Sequence, residues 1–140
     1  MATDDYRTDK WLSNVFSGWY DPCPFKADFD GLLEDWRINT YVNPPYSNPK
    51  PWVRKAIREN RSYGATIVLL LKMDSSTQWF QELQEAGAHF LWVNKRLKFR
   101  TNKTAPFPSM LAILEGHDKI DKKQVRIIET ESEIIIQEVK

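Results

Sequence analysis

The chain has 140 residues, 41% hydrophobic and 28% charged, with a formal net charge of +1; this suits a single globular domain and leaves no room within these residues for a large separate specificity domain. No apolar run approaches the roughly 18 residues of a membrane span, so no membrane partner is expected. Asp4, Asp5, Arg7 and Asp9 do not read as a secretory leader, and the lone Cys23 excludes an intrachain disulfide, so a reducing cytoplasmic setting is expected.

In chain order, residues 10–17 read as a short helix and Gly18-Trp19-Tyr20 as a short strand that stops at Asp21-Pro22-Cys23-Pro24, where two prolines end regular structure. From Phe25 to Asn39 the pattern is ambiguous, although Leu32, Leu33 and Trp36 have helix-turn spacing and are expected to pack inward. Thr40-Tyr41-Val42 reads as a strand end that opens into Asn43-Pro44-Pro45-Tyr46-Ser47, which can continue neither a ladder nor a helix. An amphipathic helix fits Pro51 to Tyr63, with Trp52, Val53, Ala56 and Ile57 on one face. Its bases Arg54, Lys55, Arg58 and Arg61 fall mostly elsewhere, and Gly64 stops it.

Ala65 to Leu71 is an unbroken apolar run, the pattern of a central parallel strand covered on both faces. Ser75 with Gln78 forms a capping box for a helix carrying Trp79, Phe80 and Leu83 that stops at Gly87. Ala88 to Val93 and Met110 to Leu114 read as strands, while Gln124 to Ile128 and Ile134 to Val139 read as a terminal hairpin or added edge strands. Alternation of strand and helix implies an α/β sheet with right-handed crossovers.

Charge is unevenly spread. Residues 41–104 hold 11 Lys or Arg against 4 Asp or Glu, and the remainder holds 9 against 15. A positive middle suits a polyphosphate partner, although a solvated charged face would give the same count. Within it, Lys95 to Lys103 has five bases, no acid, and Leu97 and Phe99 interleaved. Such a segment suits phosphate contact and support of an unstacked nucleotide, or is a basic surface hairpin.

In open α/β sheets ligands collect at the carboxyl ends of strands, so Asn43-Pro44-Pro45-Tyr46 is delivered to a site. An aromatic amino group is a poor nucleophile because its lone pair is delocalised into the ring. The Asn43 side-chain oxygen and the Pro44 carbonyl can accept its two hydrogens and favour the pyramidal form. Two successive prolines hold those acceptors in place beforehand, and Tyr46 offers a flat face for an extruded base.

These residues carry a family resemblance. Asn-Pro-Pro-Tyr is the motif of amino-group methyltransferases acting on adenine or cytosine in nucleic acid and on glutamine in release factors. A wider ordered set runs through Tyr6-Arg7-Thr8, Asp21-Pro22-Cys23, Asp30-Gly31-Leu32 with Trp36, Asn43 to Ser47, and Trp52. It continues through Thr66 to Leu71, Gln78-Trp79-Phe80, Arg96-Leu97-Lys98-Phe99 and Ala105-Pro106-Phe107-Pro108-Ser109. Over residues 6–114 this set resembles the phage-type (Dam-like) DNA N-6-adenine methyltransferase family.

The resemblance implies a reduced Rossmann-like class I S-adenosylmethionine-dependent methyltransferase fold. Its sheet would be mostly parallel, with Met110 to Leu114 antiparallel, in one domain over 1–140 whose residues 115–140 are a C-terminal extension. It implies transfer of a methyl group to the N6 amino group of adenine in DNA, flipped from a duplex or presented single-stranded, by a monomer or homodimer in the host cytoplasm. The catalytic residues would be Asn43, Pro44, Pro45 and Tyr46. S-adenosylmethionine would meet Arg7 and Thr8 near its carboxylate, Asp21, Pro22 and Cys23 at the end of the first strand, Asp28, Asp30 near the adenine amino group, Leu32 and Asn43. Nucleic acid would meet Ser47, Arg96, Lys98, Phe99, Arg100 and Lys103. Without the resemblance, Asp21 and Asp30 read as loop caps more readily than as cofactor contacts, and Trp36 reads as a cofactor wall or as core.

The chain departs from many methyltransferases in lacking a Gly-rich turn after the first strand and in the shortness of the stretch from Pro24 to Phe29. The usual second strand and helix are missing or shortened. His89 and His117 lack metal-ligand spacing, so no metal is expected. An amino-group methyltransferase acting on RNA adenine, DNA cytosine N4 or protein glutamine stays open, as does a non-catalytic nucleic-acid-binding module on the same fold.

Overall fold

The computed structural model describes residues 14–24, 26–93 and 107–117, and the backbone of 136–139. In chain order the elements are β1 (Asn39–Val42), α1 (Lys50–Tyr63), β2 (Thr66–Lys72), α2 (Gln78–Glu85), β3 (His89–Val93), β4 (Ser109–Leu114) and β5 (Ile136–Val139). The strands form one sheet in the order β1-β2-β4-β3-β5.

β1 and β2 pair in parallel, from Asn39 opposite Thr66 to Val42 opposite Leu69, and Tyr20 adds a parallel bridge to Thr40. The expected antiparallel strand is β4, which lies between β2 and β3 with Leu69 opposite Ala112 and Leu91 opposite Leu111. β5 is antiparallel to β3. The expectation of a mostly parallel sheet is therefore corrected to a mixed one. β1, β2 and β3 point the same way, but β4 occupies the place between β2 and β3, so the pairings of β4 and β5 are antiparallel.

β2 is covered on both faces, as its unbroken apolar run implies. Ile67, Leu69 and Leu71 face the helices, in a cluster with Val53, Ala56, Phe80 and Leu83. Val68 and Leu70 pack on the opposite face with Tyr41, Leu111 and Phe16. All five β2 side chains are fully buried, each contributing about 1.5–3 kcal/mol relative to exposure. Phe16 stacks on Tyr41 at 4.5 Å between centroids, so the segment before Tyr20 helps cover the face away from the helices.

α1 buries Trp52, Val53, Ala56 and Ile57, and ends where Gly64 takes the left-handed conformation (φ 68°) with its N–H on Asn60 O. Lys55 does not join the exposed bases. It is buried and paired with Glu59 at 3.2 Å, and Glu59 Oε1 also accepts the Trp36 backbone N–H at 3.5 Å. Ser75 is not the cap of α2; Thr77 is, with its side chain accepting the Phe80 N–H at 3.3 Å.

The helix-turn spacing of Leu32, Leu33 and Trp36 does not produce a helix, because residues 26–38 run as turns and irregular chain with neither helix nor strand. Leu33 is 83% exposed, whereas Trp36 is buried against Trp52 at 6.4 Å and belongs to the core. The proposed Gln124–Ile128 strand lies outside the described residues, as do residues 10–13 of the first helix.

Candidate active site

β1 ends at Val42 and the chain leaves the sheet at Asn43, on the edge where β2 ends at Lys72 and β3 at Val93. β4 begins at that edge, because Ser109 pairs with Lys72. The Asn43 loop, the Met73-Asp74 turn and Phe107-Pro108 therefore converge. Met73 N–H donates to Pro108 O at 2.9 Å, tying the start of β4 to the end of β2.

In the loop Pro44 is buried, Asn43, Pro45 and Tyr46 are half-buried, and Ser47 is exposed. The Asn43 side-chain oxygen and the Tyr46 hydroxyl are buried. Asn48 N–H donates to Pro45 O at 3.1 Å, closing the turn into α1. The Tyr46 ring is buttressed by Phe107, edge-on at 4.5 Å and 63°. Lys72 stands beside this pair, its Nζ 6.0 Å from the Phe107 centroid and 3.9 Å from Asp74 Oδ2.

Phe107 lay within the recognised sequence pattern without a role, and Lys72 gave no sequence signal beyond its place at the end of β2. The register of β2 with β4 sets Lys72 beside Phe107, which in turn packs on Tyr46. Such a loop presents fixed carbonyl acceptors beside an aromatic ring on a desolvated wall, which is equipment for holding a planar amino-bearing group.

The second cluster is built from two turns of the irregular stretch after Tyr20, Asp21–Cys23 and Asp30–Leu32, that press together. Gly31 sits against Pro22 so tightly that a Cβ would overlap the Pro22 carbonyl oxygen, and it would lie 3.0 Å from Trp52 Cζ3. Trp36 Nε1 holds the same turn by donating to Gly31 O at 2.8 Å. Asp21 Oδ1 accepts the Cys23 N–H and Asp30 Oδ1 accepts the Leu32 N–H, each at 2.9 Å. Both acids are thus loop caps through Oδ1.

Although Asp21 is exposed, the protein around it pushes its carboxyl above the usual carboxylate range, partly offset by the Cys23 amide. Burial, with a smaller contribution from Asp21, pushes the Cys23 thiol up to about 11, so it is a poor nucleophile at neutral pH. Leu32 is half-buried and Asp28 is exposed. Acceptor oxygens beside a half-buried apolar side chain fit an adenosine with a cationic tail.

Arg7 and Thr8 lie outside the described residues, as do Arg96, Lys98, Phe99, Arg100 and Lys103. The residues that bracket the latter group, Val93 and Phe107, are both at the Asn43 edge. Among the described residues no group of three or more His, Cys, Asp or Glu could hold a metal, and no helix is long and apolar enough to cross a membrane.

A strand-end Asn-Pro-Pro-Tyr loop on a small mixed α/β sheet places the protein in the class of amino-group methyltransferase-like α/β proteins. The family described as DNA N-6-adenine-methyltransferase (Dam) matches residues 25–119, and the chain belongs to that family. A DNA N-6-adenine-methyltransferase of Haemophilus phage HP1 (strain HP1c1) is 35% identical over 92 residues, 60% of this chain and 53% of that protein. One of Escherichia phage T1 is 41% identical over 75 residues, 52% of this chain and 31% of that protein. The chain thus spans about half the length of the first relative and about a third of the second. No solved structure matches it.

Proposed function

We propose that this protein transfers a methyl group from S-adenosylmethionine to the N6 amino group of adenine in DNA, on a reduced Rossmann-like class I methyltransferase fold formed as one domain. The observation that carries the proposal is the Asn43 loop at the carboxyl edge of β1, in a chain of the Dam family. The parallel β1-α1-β2 unit, the antiparallel β4 and, among the described residues, the lack of a regular second strand and helix between Tyr20 and Asn39 support the reduced fold.

When bound, S-adenosylmethionine supplies an electrophilic methyl group on a cationic sulfur that leaves as a neutral thioether. Asp30, Leu32 and the Asp21-Pro22-Cys23 turn would hold it, with Asp28, Arg7 and Thr8 as further contacts. The Asn43 side-chain oxygen and the Pro44 carbonyl accept the two amino hydrogens, localise the nitrogen lone pair and aim it, and one amino proton passes to solvent after transfer. Pro44 and Pro45 keep these acceptors from rearranging, and Tyr46, braced by Phe107, supports the adenine face. Ser47 and the Arg96–Lys103 segment hold the DNA, the segment being bracketed by two residues at the same edge.

The test is methyl transfer from labelled S-adenosylmethionine to DNA, with Asn43→Ala as the comparison. Loss of one preorganised polar contact of this kind costs about a hundredfold or more in turnover, while folding and cofactor affinity stay close to the parent's. Unchanged transfer by a folded Asn43→Ala variant would refute the role, and identifying the methylated product separates adenine in DNA from RNA adenine, cytosine N4 or glutamine. The shortness of the stretch from Pro24 to Phe29 favours a second reading, a nucleic-acid-binding module without catalysis. Calorimetric titration that finds no cofactor binding by the parent would select it.

A further inference from the structure

Two grooves of the described surface lie along the outer face of α1. One, of about 340 Å³, is lined by Leu32, Asn48, Lys50, Pro51, Arg54 and Arg58. The other, of about 360 Å³, is lined by Arg54, Ile57, Arg58, Arg61, Glu82 and Glu85. Sharing Arg54 and Arg58, they form one channel. It begins between the Asp30–Leu32 turn and the residue that closes the Asn43 loop, and it ends in the last turn of the helix.

Lys50, Arg54, Arg58 and Arg61 recur at helical spacing and make one stripe. Arg54 is neutralised by Glu82, to which its Nη2 and Nε donate at 3.0 and 3.3 Å. Lys50 donates to the neutral Gln78 at 2.9 Å. Arg58 and Arg61 make no hydrogen bond or ion pair among the described residues. Glu85 is the remaining acid on the channel wall and is engaged by Gln81 at 3.5 Å. Four bases against two acids leave a net +2 along the channel. From Lys50 to Arg61 the stripe runs about 16 Å at 1.5 Å per residue, about five steps of duplex at 3.4 Å each.

We propose that this stripe is a second nucleic-acid contact, a track on which Lys50, Arg58 and Arg61 hold the phosphate backbone flanking the adenine presented at the Asn43 loop. The inference rests on the methyltransferase reading and assigns its substrate further contacts on α1, beside those proposed for residues 96–103. Continuity with the loop and uncompensated charge argue for a polyanion lying across both. A helix face that is merely solvated has no need to form a channel ending at the candidate site.

The experiment measures equilibrium binding of the full chain to a fluorescent mixed-sequence 24-base-pair duplex across a salt series, for the parent and Arg58→Ala/Arg61→Ala. Each phosphate contact contributes about 0.9 to the slope of log affinity against log salt, so the double variant should flatten it by up to about 1.8 units. Arg58→Lys/Arg61→Lys, which keeps the charge, should restore it. Both side chains are exposed, so thermal unfolding should stay near the parent's and separates misfolding from lost contact.

A folded alanine variant with the parent's slope overturns the track, and is also the result expected if the stripe serves an acidic protein surface. A variant that loses cofactor affinity while keeping its slope overturns it too, because the channel would then belong to the cofactor. A parent with no affinity for DNA overturns both the track and the methyltransferase reading, whereas the other two failures leave that reading standing.

Discussion

Gly31→Ala is the sharpest perturbation of the junction that brings the Asp21 and Asp30 turns together. Gly31 does not need a left-handed backbone, so the effect of a methyl group is steric. The added Cβ would overlap the Pro22 carbonyl oxygen and lie 2.7 Å from its carbonyl carbon, where ordinary contact begins at 3.4 Å. The overlap with the oxygen is larger still, so the turns must part by more than about 1 Å, and Trp52 on the other side, with Cζ3 at 3.0 Å, blocks an easy escape. Overpacking of this kind costs about 1–3 kcal/mol, and weakening the Trp36 Nε1 bond to Gly31 O adds on the order of 1 kcal/mol. Thermal unfolding should fall by roughly 5–10 °C.

Because the Asp30 carboxylate and the Leu32 backbone move with Gly31, cofactor affinity should weaken by about ten- to a hundredfold, equivalent to roughly 1–3 kcal/mol of lost polar contact. Binding to duplex DNA, carried elsewhere, should change little. Calorimetric titration with S-adenosylmethionine beside thermal unfolding is the assay. A folded variant with a lowered melting temperature and the parent's cofactor affinity would show that the junction is only structural.

Three other outcomes are expected. Because Asp21 is raised above its ordinary value of 3.8, its folded-state contribution is fully present below that pH and is lost as pH rises through the folded pKa. Asp21→Asn should therefore be the more stable protein at pH 7, with the gap closing toward pH 4, and should bind the cationic cofactor more weakly; equal stability curves would refute the desolvation argument. With its thiol pushed up to about 11, Cys23 should react slowly with iodoacetamide at pH 8 and accelerate up to about pH 11, and fast alkylation of the folded protein would contradict that burial. Lys98→Ala with Arg100→Ala should flatten the salt dependence of duplex binding by up to about 2 units without changing site preference, whereas altered preference at constant slope would make the segment a base reader.

Sequence alone marked the features whose physics is local. Asn43-Pro44-Pro45-Tyr46 was visible because two prolines end a strand wherever they occur, and α1 was visible because its apolar stripe and Gly64 stop signal are short-range patterns. β2 was readable as a strand buried on both faces, but not its neighbours, since an apolar run is the same beside a parallel or an antiparallel partner. Tertiary structure decided that β4 separates β2 from β3, which made the sheet mixed and carried Phe107 to Tyr46 with Lys72 beside Phe107. It placed Lys55 in a buried pair with Glu59, turned Leu33 outward and gave the α2 cap to Thr77. It also pressed Gly31 onto Pro22 and joined the α1 bases into a channel reaching the Asn43 loop. Contacts between residues distant in the chain depend on register and packing, which helical and strand periodicities do not encode.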